Sequence, residues 1–215
     1  MQIAIPLFDR LTALDAVGPY EVLCRVPGAR VDFVAAEPGV YKTDTRMLGL
    51  SASLSYDDAP HPDILVFPGG GGTRALMQDA ATLDWVRQVH ETSQYTTSVC
   101  TGALVLGAAG VLDGLEATTH WLYRPMLEEF GATPVERRVA EQGKVITAAG
   151  VSAGIDMALT LVARFAGPEV AQAIQLGIEY DPEPPFDAGS PDKAPQAIVD
   201  IVTGVERAEE TAGAG

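Results

Sequence analysis

The run Ile64-Leu65-Val66-Phe67 is apolar at every position, with Pro62-Asp63 before it and Pro68-Gly69-Gly70-Gly71-Gly72 after it. A strand with one wet face alternates apolar and polar residues. One that is apolar throughout has to be covered on both sides, which places it in a parallel sheet sandwiched between helices. The rest of the chain fits that demand. Residues 2–7, 31–36, 95–99 and 144–148 also read as strands. Helical patterns fall at 14–25, 80–91, 102–109, 122–130, 152–165, 168–180 and 195–207. This alternation predicts an α/β fold with a mostly parallel central sheet and 64–67 near its middle. Between Gly39 and Ala59 the pattern turns polar and alternating, with Thr43, Asp44 and Gly49 at turns, which predicts an antiparallel hairpin at the sheet edge and a contact surface there. The segment 152–165 is apolar nearly all round and reads as a buried helix.

In such sheets ligands bind beyond the carboxyl ends of the strands. Four loops of interest fall there: one with Asp15, one with Gly69 to Gly72, one with Cys100 and one with Gly150-Val151. Cys100 stands where the β-branched run Tyr95 to Val99 turns into the helix begun by Gly102. Unpaired N–H groups and the helix dipole favour a thiolate at such a junction, and a thiolate is the reactive form of cysteine. The turn resembles a nucleophile elbow, with Ser98 in place of the first glycine. A buried, inert cysteine is the competing reading. Asp15 is either a carboxylate favoured by a helix N-terminus or a desolvated acid of raised pKa serving as a proton shuttle beside Cys100.

No Lys-Ser or Lys-Thr follows Gly69 to Gly72, so the glycine run is not a nucleotide cradle. A tight strand-to-helix turn is expected there in either case, and the N–H groups of Gly70, Gly71 and Gly72 are candidates to line an anion pocket with that of Thr101. His120 is a possible base for Cys100 or a mere cap, and Trp121 a possible pocket wall. His61 and His90 read as solvated, Glu21 as solvated or structural, and Trp85 and Cys24 as packing residues. The histidine and cysteine spacing indicates no metal site.

A chain of 215 residues, 47% hydrophobic and 20% charged, is expected to form one domain over 1–215, with 206–215 a frayed tail. The net charge of −15 disfavours nucleic acid and anionic membranes as partners. Two cysteines build no disulfide framework, and the chain opens directly on a strand-like run, so a reduced, cytoplasmic protein is expected. No apolar run is long enough to span a bilayer.

Five segments together resemble the ThiJ/PfpI superfamily, relatives of class I glutamine amidotransferases: Leu14-Asp15, Phe67-Pro68-Gly69-Gly70, Ser98-Val99-Cys100-Thr101-Gly102-Ala103, Ala117-Thr118-Thr119-His120-Trp121 and Gly150-Val151-Ser152-Ala153-Gly154-Ile155-Asp156. Asp15 with Gly18-Pro19, the Cys100 elbow and the segment 179–191 are similar to the bacterial isocyanide hydratases in particular. The resemblance implies a flavodoxin-like three-layer sandwich, a homodimer, no cofactor, and hydration of an isocyanide to an N-substituted formamide. It implies Cys100 as nucleophile, Asp15 as proton shuttle and water-positioning group, Thr101 as shaping the pocket, and the Val151 amide as a donor to the cysteine sulfur. Many superfamily members carry a glutamate in the first helix where this chain has Asp15, which weakens protease and deglycase readings. The alternatives are a glyoxalase or deglycase acting on reactive carbonyls, in which His120 matters more, and a non-enzymatic ligand- or redox-sensing module. The proline-rich segment 182–191 is expected near a dimer interface.

Overall fold

The computed structural model describes the backbone of residues 1–213 and the side chains of residues 1–205. The chain divides into two compact units, Met1–Ile178 and Glu179–Gly215. The first begins β1 (Gln2–Pro6), α1 (Ala13–Leu23), β2 (Arg30–Ala35), β3 (Gly39–Lys42), β4 (Gly49–Ala52), β5 (Leu54–Ser55) and β6 (Ile64–Phe67). It continues α2 (Thr73–Leu76), α3 (Ala80–Thr92), β7 (Tyr95–Val99), α4 (Gly102–Ala108) and β8 (Glu116–Ala117). A 3₁₀ stretch (Trp121–Phe130), β9 (Thr133–Pro134), β10 (Val139–Gln142), β11 (Val145–Ala148), α5 (Ala153–Phe165) and α6 (Pro168–Gly177) complete it. The second unit carries α7 (Gln196–Gly213), and the tail expected at 206–215 lies outside the described side chains.

Seven strands form the main sheet in the order β10-β11-β7-β6-β1-β2-β5. Every pairing is parallel except that of β10 with β11. As its sequence demands, β6 is the middle strand, and all four of its side chains are buried. Full burial of aliphatic and aromatic side chains of this size is worth about 1.5–3 kcal/mol each, so β6 anchors the core. Phe67 stacks on Phe8 with ring centroids 6.0 Å apart. Trp85 packs as expected, stacked on Tyr56 at 4.2 Å with its indole N–H donating to the Ala59 carbonyl at 3.1 Å.

Several expectations are corrected. The hairpin exists as β3–β4, but it makes a two-stranded sheet of its own, and β5 takes the edge of the main sheet beside β2. The cause lies in the loop after β1. Arg10 N–H donates to the Lys42 carbonyl at 2.7 Å and Asp44 N–H to the Leu11 carbonyl at 2.9 Å, so the hairpin's spare backbone groups are satisfied there. Helix α5 buries one stripe (Ala153, Gly154, Met157, Ala158, Leu161, Val162), while Asp156 and Arg164 pair outward with Arg138 and Glu141. Residues 121–130 wind as a 3₁₀ helix, and Pro125 inside them removes an α-helical N–H donor. Cys24 is exposed, because α1 ends at Leu23 and its buried stripe runs through Asp15, Ala16, Gly18, Pro19, Val22 and Leu23. Glu21 is a surface partner of Arg25.

Candidate active site

The elbow begins where β7 ends. Cys100 has φ 55, a left-handed conformation that costs a non-glycine residue about 1–2 kcal/mol. It is held there by both of its backbone groups. Its N–H points at the carbonyls of Ala148 (3.2 Å) and Ala149 (3.0 Å), and its own carbonyl accepts the Thr119 hydroxyl at 2.6 Å. Thr101 then takes the N-cap position of α4 with its hydroxyl turned to Gly70 instead of capping the helix, and Gly102 passes so close to β6 that a Cβ would lie 2.2 Å from the Phe67 carbonyl oxygen. The chain can turn this sharply only with glycine at 102.

Asp15 lies in α1 with no solvent exposure. Its Oδ2 accepts the Gly69 N–H at 2.9 Å. Its Oδ1 is buried without a hydrogen bond of ordinary length among the described residues, and the Cys100 sulfur stands near enough that each group acts on the other's proton affinity. Burial pushes the Asp15 carboxyl up to about 7; the Gly69 N–H and a hydrogen bond with Cys100 oppose that rise, and the charge of Asp44 adds to it. The expectation of a desolvated acid is met.

The expected standing thiolate is not. Burial is the main force raising the Cys100 pKa above its ordinary value, and the Asp15 charge raises it further; the N–H groups of Val151 and Thr101 and the Thr101 hydroxyl pull the other way. The sulfur belongs to a residue only 6% exposed, and donors from the first turn of a seven-residue helix do not replace lost hydration. The resting site therefore holds a thiol beside a carboxyl whose proton affinity burial has raised towards neutrality. Val151, with φ 27, carries backbone strain of its own while its N–H reaches the sulfur.

The glycine loop makes the expected tight turn, and two of its N–H groups have partners within the fold. Gly70 N–H donates to the Thr101 hydroxyl oxygen at 2.9 Å, and Gly72 N–H donates to the Arg10 carbonyl at 3.2 Å. At Gly70, with φ 133, a Cβ would stand 2.4 Å from the Arg10 carbonyl oxygen, so the loop is pressed onto the segment after β1 and turns the Gly70 and Gly72 donors inward. Gly71 backs onto the Arg10 guanidinium. The groups that bear on the sulfur are Asp15, Thr101 and Val151. His120 packs its ring on Gly150 and tilts against Trp121 and Tyr123.

His61 is a surface residue, but His90 is not solvated as expected. It is half-buried with Nδ1 2.9 Å from the Thr96 hydroxyl, and burial and the Lys144 charge lower its pKa. Among the described residues no three His, Cys, Asp or Glu side chains gather to hold a metal ion. Sequence reasoning missed the Gly69 N–H that holds Asp15 and the Thr119 hydroxyl that fixes the elbow carbonyl; neither residue type signals such a role.

The DJ-1/PfpI family model matches residues 1–164. The chain is 46% identical to isonitrile hydratase of Pseudomonas putida over 200 residues, 93% of this chain and 87% of that protein. It superposes on a ThiJ/PfpI family protein from Pseudomonas syringae with TM-score 0.93 and 38% identity, covering 99% of this chain and 89% of that one. Drosophila melanogaster DJ-1beta shares the fold at TM-score 0.76, with 22% identity over 83% of this chain and 97% of that one.

Proposed function

Because the chain belongs to the DJ-1/PfpI family and resembles an isonitrile hydratase over most of its length, we propose that it hydrates isocyanides to N-substituted formamides, with Cys100 as nucleophile and Asp15 as proton shuttle. The observation that carries this reading is the buried pairing of a thiol with a carboxyl whose pKa lies near 7. The terminal carbon of R–N≡C accepts a nucleophile and a proton at one atom, and this pair supplies both.

As the sulfur approaches the carbon, its proton passes to the Asp15 carboxylate, and the carboxylic acid then protonates the same carbon. An S–C bond forms and the product is a thioimidate, R–N=CH–S–Cys100. Asp15, ionised again, takes a proton from water as the oxygen adds to that carbon, and the proton is passed to nitrogen. The tetrahedral adduct R–NH–CH(OH)–S–Cys100 collapses: the C–S bond breaks, the hydroxyl proton returns through Asp15 to sulfur, and R–NH–CHO leaves. The N–H groups of Val151 and Thr101 stabilise charge on sulfur as it attacks and as it departs. Each positioned proton transfer contributes about 10²–10⁴-fold.

Cytoplasmic location and a homodimer are part of the same proposal. An apolar stripe on α7, formed by Ile198, Ile201, Val202 and Val205, is exposed at i, i+3, i+4 and i+7 spacing and suits a second copy of the chain. The net charge of −15 supports a small-molecule substrate over nucleic acid or membrane surfaces. The test is formamide formation from p-nitrophenyl isocyanide: turnover by the wild type is expected, and none by Cys100→Ala or Cys100→Ser. Turnover of methylglyoxal in place of the isocyanide would overturn the reading.

A further inference from the structure

Three adjacent strands, β11, β7 and β6, end side by side beneath the site. Gly150 follows β11, Cys100 follows β7, and α2 with Arg74 lies beyond the loop after β6. The segment His120 to Tyr123 touches the loop after β11 at one end and α2 at the other. A Cβ on Gly150 would lie 2.6 Å from His120 Cδ2, so the imidazole rests directly on the β11 loop. The Arg74 guanidinium stands 5.5 Å from the centroid of the Tyr123 ring. Gly150 precedes Val151, whose N–H reaches the Cys100 sulfur, so the imidazole stands beside the loop that touches the nucleophile. The Thr119 hydroxyl, one residue upstream of His120, ties the segment to the Cys100 carbonyl at 2.6 Å.

The segment is aromatic. His120 has its ring centroid 5.8 Å from that of Trp121 and 5.8 Å from that of Tyr123, with interplanar angles of 33° and 44°. All three side chains are half-buried, so each keeps part of a ring open. Isocyanides are linear at R–N≡C, so a molecule presenting its carbon to the sulfur directs its substituent away from Cys100 and against whatever stands over it.

We propose that His120, Trp121 and Tyr123 form the wall that receives the substituent on nitrogen, and that the preferred substrates carry a planar aromatic ring there. Offset or tilted stacking on fixed aromatic faces rewards a planar ring more than a methyl group, which reaches little of the wall. Arg74 fixes Tyr123 from the far side, and the imidazole packed on Gly150 fixes the near end. The inference rests on the isocyanide reading and adds its substrate class.

The test compares kcat/KM for phenyl isocyanide and methyl isocyanide in the wild type, Trp121→Ala, Trp121→Phe and Tyr123→Leu. The wild type favours the phenyl substrate. The phenyl-to-methyl ratio falls about tenfold or more in Trp121→Ala and Tyr123→Leu, mainly through KM, and recovers in Trp121→Phe. A second arm needs no turnover: N-phenylformamide and N-methylformamide are titrated calorimetrically into Cys100→Ala protein with and without Trp121→Ala, and tighter phenyl binding is expected only where Trp121 remains. Hydration of both isocyanides with an unchanged ratio overturns the wall and leaves the hydratase reading standing. A wild type idle on both isocyanides overturns the hydratase reading and the wall's substrate class with it.

Discussion

Asp15 is the residue where stability and chemistry pull apart. Its carboxyl titrates near 7 in the fold against 3.8 in its ordinary state, so between those values the folded chain binds more protons than the unfolded one. Stability therefore falls as pH rises from about 4 to 7, and above 7 the buried charge opposes folding by up to about 4 kcal/mol. Asp15→Asn keeps an oxygen for the Gly69 N–H and carries no charge. The variant is expected to lose hydration by at least 10²-fold and yet to melt several degrees above the wild type at pH 8, with the gap closing by pH 4. Melting curves at the two pH values check the sign; a variant less stable than the wild type at pH 8 contradicts it. Cys100 shows how far a residue's setting reads from sequence. Its junction was legible in the β-branched run before it and Gly102 after it, whereas its proton affinity was not. Helix-end donors are local and visible in sequence, but burial of the sulfur is set by packing from strands distant along the chain.

Among the elements, β6 was legible in full because an all-apolar tetrapeptide has one stable place in a sheet. Its carboxyl end also carries a steric constraint. Gly102 lets α4 start against the Phe67 carbonyl, and a methyl group would meet that oxygen at 2.2 Å. Backbone oxygen cannot swing aside as a side chain can. Gly102→Ala is expected to destabilise the protein by about 1–3 kcal/mol and to cost most of the activity, because displacing the start of α4 moves Cys100 away from Asp15. Denaturant unfolding and a formamide assay on the same preparation test both halves. The hairpin β3–β4 was legible as a hairpin but not in its docking, since its hydrogen bonds are spent on Arg10 and Leu11, and backbone groups carry no sequence label. Helix α5 looked buried all round because its apolar content is high. The ion pairs Arg138–Asp156 and Arg164–Glu141 show which faces meet charged neighbours.

At the scale of the whole molecule, the α7 stripe makes the proposed dimer testable. Ile201 is 61% exposed and Val205 54%, in a chain whose other large apolar side chains are mostly covered. Ile201→Glu is expected to shift the sedimentation of the protein from dimer to monomer; an unchanged sedimentation coefficient places the interface elsewhere. The sequence by itself determined the α/β class, the central strand and the cysteine at an elbow, because strand periodicity, helix-end donors and glycine's missing side chain act within a few residues. Only the tertiary structure decided that the thiol keeps its proton, that Asp15 is buried within reach of it, that the N–H groups of Gly70 and Gly72 turn inward, and that His120 rests on Gly150 while Tyr123 meets Arg74. Those outcomes depend on desolvation and on contacts between segments remote in the chain, and both come into existence only when the sheet assembles.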